Sequence, residues 1–388
     1  MPRLRPIYRE EFDRVNAFCS TAFRGQVDNR FPNDLPPGSC YPLHQVVEDE
    51  AGEIVAHGFF HPKPVWVHGC LTMVGDVGNV CTHPERRKLG YSRVLMEGLV
   101  GVMQAARMPL SLLGGSPTLY AKFGWAGTGG TVEIDVSGTA SVPAVATTPI
   151  VSGDMPWIMR CYAEVWQGRT GMVQRDKARW TNWRTQIEHD STFTLPHGAG
   201  YACASLPNGH QGLLREITAR DSAAYFALFD AIWQEAQARG VPAVELHAHR
   251  DGPEHRAFAR WATERKLVVA REDFYTGSMW RIVDVGRLLQ DLTPFLLPRL
   301  DRPLSLTIAT EDGETAFHLG PWGVCLAAHT DHRLELPIGK LAEWWLGPAR
   351  IAELLEQGIA RLHGDLDPAH LARLFPPAAI YTALPDRE

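Results

Sequence analysis

The sequence predicts a mixed α+β chain of two or three units, and three observations carry that expectation. An apolar run from Leu71 to Cys81 feeds through Pro84, a basic cluster and Gly90 into apolar residues at helical spacing: Leu95, Leu99, Val102 and Met103. Strand and helix patterns alternate again between Tyr201 and Ala270. Three short strands and two helices follow between Leu304 and His363. A chain of 388 residues is also too long for one ordinary domain.

Taken in order, a helix is expected over Glu10 to Ala22, then an irregular Pro/Gly-rich stretch from Phe31 to Pro42. Gln45 to Glu50 turns at Ala51-Gly52 into Ile54 to Phe60, the pattern of a hairpin. The buried strand Leu71–Cys81, the helix beyond Gly90 and a strand over Leu110 to Leu113 complete a first unit, residues 1–145. Ser137 to Pro149 is small and poor in large apolar residues, as a linker would be. A second unit, residues 146–280, has a helix over Met155 to Trp166 and a strand pair at Tyr201–Leu206 and Gly212–Thr218. After these come a helix from Ser222 to Arg239, a strand Val244–His247, a helix Glu254–Arg265 and a strand Leu267–Ala270. A third unit, residues 281–388, opens near Trp280-Arg281-Ile282-Val283-Asp284-Val285. It carries strands at Leu304–Ala309, Thr315–Leu319 and Gly323–Ala328, helices at Ile338–Leu346 and Ala349–His363, and a proline-bearing tail.

Composition narrows the function classes. Hydrophobic content of 45% and charged content of 21% are ordinary for a soluble globular protein. A net charge of −6 gives no basis for nucleic-acid binding. No apolar run approaches the roughly 18 residues of a membrane span, and the charged start lacks a secretion signal. Seven cysteines without C-x-x-C spacing suit a reducing cytosol, so a cytoplasmic location and no metal are expected.

A strand that enters a helix through a basic, glycine-bearing turn makes an anion site. The first helical N–H groups lack partners, the helix dipole adds positive potential, and glycine lets a phosphate approach. The turn is neither a P-loop nor a dinucleotide fingerprint, whose glycines it lacks. It reads R-x-x-G-x-[small] at Arg87, Gly90 and Ser92, and Ser116-Pro117-Thr118-Leu119-Tyr120-Ala121-Lys122-Phe123-Gly124-Trp125 follows the next strand. In that order and separation the two segments resemble the acyl-CoA site of the GNAT superfamily of N-acetyltransferases, with Ser92 where Gly or Ala is usual. The resemblance implies acetyl-CoA as cosubstrate. Val80, Cys81 and Thr82 would meet the thioester and pantetheine arm, and Arg86, Arg87, Lys88, Gly90, Tyr91 and Ser92 would surround the pyrophosphate. The bland alternative is a solvated basic turn.

Acetyl transfer needs the departing thiolate protonated, and a phenol of pKa near ~10 matches it. Tyr120 is therefore the candidate general acid, a role the resemblance also implies; the alternative is a core tyrosine. Phe123 and Trp125 read as packing.

The order of units, with the Trp280–Val285 junction, resembles the Eis (enhanced intracellular survival) family. That likeness implies tandem GNAT folds, the first active and the second degenerate, then a sterol-carrier-protein-like end and a homo-oligomer. It also implies a general base from the chain's own terminal carboxylate, here Glu388. This tail extends past the aromatic residue usual in the family, so Asp386 or an uninvolved tail is the other option. Acceptors in that family are amines such as aminoglycosides, polyamines or lysine side chains. Asp28, Asp34, Glu48, Asp49 and Glu50 would suit a small-molecule or peptide amine of that kind, or are ordinary solvated charges. Phe23 to Pro32 is a candidate wall of the acceptor cleft. His247, His249 and His255 read as surface histidines, and Trp344-Trp345 as packing. The reading from another class is a non-catalytic acyl-CoA sensor or lipid-binding protein.

Overall fold

The computed structural model describes residues 2–23, 43–250, 252–275, 278–383 and 386. The segment Phe23–Pro32, apart from Phe23, and Glu388 lie outside them, as do Asp28 and Asp34.

Three sheets organise the chain. The first contains β1 (Arg3–Pro6), β2 (His44–Glu48), β3 (Ile54–Val67), β4 (Cys70–Thr82), β5 (Leu110–Gly114) and the short β6 (Ala126–Gly127). Their spatial order follows the chain, except that the strand Ser278–Ile282 stands between β5 and β6. The β4–β5 pair, the one parallel pair of this sheet among the described residues, is crossed over by helix α2 (Tyr91–Ala105); α1 (Phe12–Ala22) precedes β2. Helix α2 buries Leu95, Met96, Leu99, Val100 and Met103 against Val47, Val55, Phe60 and Val77 of the sheet. Those positions recur every three or four residues, the stripe an amphipathic helix needs to face one layer. The opposite face of the sheet, with Val65, Val74, Leu112 and Trp280, shares a core with Leu306, Ile308, Trp344, Trp345 and Phe375 of the C-terminal unit. The first sheet is thus covered on both sides.

Two strands change places relative to the expected unit boundaries. The strand β7 (Thr131–Ser137), inside the 1–145 unit, pairs with Ala243–His249 and Val268–Tyr275 in the second sheet. Ser278–Ile282, expected to lie at the junction of the second and third units, pairs Met279 with Leu113 and Trp280 with Leu112 in the first. A period-two apolar pattern marks a half-buried strand without naming the sheet that covers it, which is why the exchange is invisible in sequence.

The second sheet runs Val268–Tyr275, β7, Ala243–His249, Gly212–Ala219, Gly200–Ser205, Ser191–Thr194. Its parallel pair, Gly212–Ala219 with Ala243–His249, is joined by the helix Ser222–Ala238. The third sheet is five-stranded, and Leu304–Thr310 lies at its centre between Gly313–Gly320 and His332–Glu335. The helix expected over Ala349–His363 stops at Glu356; Gly358 turns with φ +68°, and Arg361–His363 joins the sheet as an edge strand. A residue at positive φ cannot continue a right-handed helix, and glycine takes that conformation without strain.

The C-terminal tail runs back through the middle of the molecule. Tyr381 N–H donates to Thr170 O at 3.1 Å, Thr382 Oγ1 to Gly171 O at 2.9 Å and the Tyr381 hydroxyl to His247 O at 3.0 Å. A Cβ at Gly171 would lie 2.1 Å from Tyr381 O, so only a glycine lets the tail lie there.

Candidate active site

The site begins where β4 and β5 part. They pair from Val74 with Leu110 to Val77 with Leu113, and no further. Past that point β3 alone among the described residues pairs with β4, with Gly78 opposite Phe59 and Cys81 opposite His57. Asn79 and Val80 together face Gly58, a bulge in which Asn79 takes φ +49°. Bulges bend and twist the strand that carries them, and here the bend turns β4 away from β5. Gly58 accommodates this closely: a Cβ there would meet Leu99, Leu95 and Val80 at 3.2 to 3.4 Å. From Gly78 to Thr82 the β4 edge that faces β5 makes no ladder pairs among the described residues, and it forms one wall of a wedge-shaped opening.

The turn after β4 closes the foot of that wedge. Pro84–Arg86 is a single 3₁₀ turn, Lys88 takes φ +66° and Gly90 φ +90°. Gly90 starts α2 without a side-chain cap, the first turn carries no acidic residue, and residues 84–90 are exposed. The unpaired amides of the first helical turn and the positive end of the dipole therefore face solvent beside Arg86, Arg87 and Lys88. Arg87 donates to Ala22 O at 3.4 Å and Arg86 stands 3.8 Å from Asp49, so both guanidiniums are only lightly engaged. This arrangement can take a phosphate or pyrophosphate.

Tyr120 stands on the other wall, at the end of α3 (Pro117–Tyr120) just past β5. It is 9% exposed, its ring lies against Gly115, and no described side chain hydrogen-bonds its hydroxyl. Burial, with a smaller contribution from the Cys81 thiol, raises its pKa above that of an ordinary phenol. It stays protonated across the neutral range. Gly124 and Trp125 of the same segment serve the packing of the inserted strand, whose Arg281 donates to Phe123 O at 2.6 Å, stacks on Trp125 and ion-pairs with Asp312. Any side chain at Gly124 would strike that guanidinium.

Behind the β4 edge lies a polar cluster that sequence reasoning missed. The Cys81 side chain turns away from the opening, and its Sγ is 3.7 Å from Cys19 Sγ of α1. His57 Nδ1 is 3.1 Å from Cys19 Sγ, and His57 Nε2 is 3.1 Å from His44 Nδ1. All four residues are buried; burial and the neighbouring His57 push His44 down to about 3, so it stays neutral. The residues come from four elements, and no linear spacing announces them. Cys81 was expected among the cofactor contacts, and only its backbone lies on the open edge.

Asp386, the alternative base, is occupied. Its carboxylate accepts from Arg175 Nε and Nη2 at 2.9 and 2.8 Å, and its carbonyl accepts from Lys63 Nζ at 2.8 Å. Lys63 also pairs with Asp76 at 2.7 Å on the neighbouring strand. Arg175 holds Glu216 as well and lies over the rings of Tyr162 and Trp180. A carboxylate held through both oxygens by one buried guanidinium is an anchor for the tail. A cleft of about 220 Å³ lined by Trp66, Tyr162, Trp166, Arg175 and Trp180 opens beside this anchor. The three histidines diverge, His247 to Glu245 at 2.5 Å and His255 to Glu272 at 3.2 Å. Trp344 and Trp345 are buried in the core, Trp345 stacked on Phe375 at 4.4 Å.

Residues 3–127 match the family model described as "Acetyltransferase (GNAT) domain". No curated protein matches the chain in sequence. Among solved structures, a GCN5-related N-acetyltransferase from Kribbella flavida superposes with a TM-score of 0.75 at 16% identity, covering 100% of this chain and 98% of that one. A probable N-acyltransferase from Enterococcus faecalis V583 gives 0.74 at 15% identity, with 98% and 97% covered. Eis1 from Mycobacterium abscessus gives 0.68 at 15% identity, with 100% of each chain covered. The fold is shared over the whole length. Among the described residues no helix is long and apolar enough to cross a membrane.

Proposed function

We propose that the chain is an acetyl-CoA-dependent N-acetyltransferase of the Eis-like kind, with its chemistry confined to the opening between β4 and β5. The observation that carries this reading is the pairing of that opening with an uncapped helix N-terminus at its foot and a buried, unengaged phenol at its rim. The pyrophosphate would rest on the amides of Tyr91 and Ser92 and between Arg86, Arg87 and Lys88, with Gly90 allowing close approach. The pantetheine arm would extend along the unpaired edge of Val80, Cys81 and Thr82. Its thioester oxygen would accept from a backbone N–H there, the polarisation that acyl transfer needs. The acceptor amine attacks the carbonyl carbon, the C–S bond breaks, and Tyr120 hands its proton to the departing thiolate. Tyr120 would regain that proton from solvent.

The amine's own proton would pass to the terminal carboxylate of Glu388. The Asp386 anchor supports this, since Lys63 holds it beside Asp76, one residue before β4 and β5 part. A small cationic amine, such as an aminoglycoside, a polyamine or a lysine side chain, is the acceptor class this reading favours.

The second unit is read as a divergent copy of the first. Its parallel pair joined by the helix Ser222–Ala238 parallels β4, α2 and β5, while Asp221 caps that helix where the first unit has Gly90. A carboxylate at that position disfavours a phosphate. The last unit is read as sterol-carrier-like in plan. Its interior is filled by Leu306, Ile308, Trp344, Trp345 and Phe375, which favours the enzyme over a lipid carrier. Exposed Trp322 and Leu326 beside the edge strand Gly323–Leu326 support a homo-oligomeric contact.

Calorimetric titration with acetyl-CoA and with CoA tests the cofactor part. Micromolar binding of both, lost tenfold or more in an Arg87→Ala, Lys88→Ala double variant, is expected. Absence of binding in the wild type would remove the reading.

A further inference from the structure

We propose that Cys19, His57 and Cys81 form a binding site for a zinc-class divalent cation, buried behind the β4 edge. Three ligand atoms of the types zinc favours, two thiol sulfurs and an imidazole nitrogen, lie within 4.8 Å of one another. Two sulfurs held at about 2.3 Å from a tetrahedral zinc stand roughly 3.8 Å apart. The observed Sγ–Sγ separation is 3.7 Å, and Cys19 Sγ to His57 Nδ1 is 3.1 Å. All three atoms are thus close enough for one cation to reach after small side-chain adjustments.

The surroundings fit the same reading. A ligating histidine needs its second nitrogen engaged to fix its orientation, and His57 Nε2 meets His44 Nδ1 at 3.1 Å. His44 is itself held by stacking on Phe59 at 4.8 Å. Cys19, His57 and Cys81 are at most 7% exposed. Binding would release two thiol protons, and the two thiolates would neutralise the dication, so no net charge would be buried. Three protein ligands leave a fourth position for water or a small exogenous ligand. The site would pin α1, through Cys19, to β3 and β4, and so stiffen the strand whose other edge lines the opening. The other group of metal-ligating side chains, Glu133, Glu245 and His247, is engaged by Arg271 at 3.3 and 3.6 Å to the two carboxylates, which leaves it no demand for a cation.

Cobalt(II) is the probe, because tetrahedral thiolate coordination gives it intense visible bands and a sulfur-to-metal charge-transfer band. The full chain, reduced and stripped by chelator, is titrated with Co²⁺ and then back-titrated with Zn²⁺. One equivalent with both bands, displaced by Zn²⁺, is expected. Cys19→Ser should abolish the charge-transfer intensity of one thiolate. His44→Phe, which keeps the ring stack, should weaken affinity roughly 10- to 100-fold. Cys325→Ser, at an exposed thiol, should change nothing. Zn²⁺ should also raise the unfolding midpoint of the wild type and not of Cys19→Ser, a comparison that holds for whatever folded fraction each variant keeps. Absence of tetrahedral bands in the reduced protein, bands unchanged in Cys19→Ser, or an isolated Cys19–Cys81 disulfide with no cobalt uptake after its reduction would each overturn the proposal.

Discussion

Arg175 and Asp386 stand 211 residues apart in sequence and form a buried pair, Nη2 to Oδ2 at 2.8 Å, with both side chains nearly inaccessible. Glu216 takes the remaining face of the same guanidinium at 2.6 Å. The guanidinium that holds the tail's carboxylate in the interior thus also holds the second sheet. Arg175→Leu would leave two carboxylates buried without a counter-charge, a loss of roughly 3–5 kcal/mol. Urea unfolding should show that loss, and Asp386→Asn should lose clearly less because Glu216 still pairs with Arg175.

Gly171 has φ +94° and faces the tail backbone at contact distance. Gly171→Ala adds about 1–2 kcal/mol of backbone strain and pushes on Tyr381. Amide exchange at residues 380–383 should accelerate in this variant while exchange in α2 stays as in the wild type.

Gly90 is the counterpart at the cofactor turn. Its φ is +90° and a Cβ there would point into open space, so a substitution strains the turn without steric conflict. Gly90→Ala should raise the KM for acetyl-CoA several-fold and cost stability no more than the backbone strain itself, about 1–2 kcal/mol.

Glu254 makes stability depend on pH. Burial raises its carboxyl to about 7; Oε1 accepts the His249 N–H at 2.7 Å, and Oε2 has no partner. The folded state thus binds a proton that the unfolded state, with an ordinary carboxyl near 4.5, releases more readily. The contribution is fully present below the unfolded value and is lost as pH rises through the folded one. Stability should fall by a few kcal/mol between about pH 4.5 and 7 from this group, and Glu254→Gln should flatten that slope in unfolding curves taken across the range.

Local structure was well written in the chain, and long-range pairing was not. The spacing of Leu95, Leu99 and Met103 puts a helix where Tyr91–Ala105 stands, and Ile338–Leu346 begins and ends where its apolar residues do. The turn at Gly90 was legible because its residues are consecutive. The exchange of Thr131–Ser137 for Ser278–Ile282 left no trace, since alternation looks the same in either sheet. The helix Lys177–Gln186 escaped because its apolar residues are two tryptophans among polar neighbours, and His332–Glu335 because four residues carry no period. The cluster of Cys19, His57 and Cys81 and the Arg175 anchor needed the fold itself to bring them together.

Release of free CoA thiol from acetyl-CoA, with a panel of polyamines, aminoglycosides and lysine peptides, tests the central claim most directly when wild type and Tyr120→Phe are run side by side. Tyr120 is held protonated across the neutral range, so wild-type turnover should not decline until pH passes the ordinary tyrosine range. The account predicts turnover with at least one cationic amine, a fall of roughly 10²–10⁴-fold in kcat for Tyr120→Phe, and unchanged acetyl-CoA affinity. Equal turnover in the two proteins would remove Tyr120 from the mechanism, and tight acetyl-CoA binding without turnover on any amine would contradict the transferase reading itself.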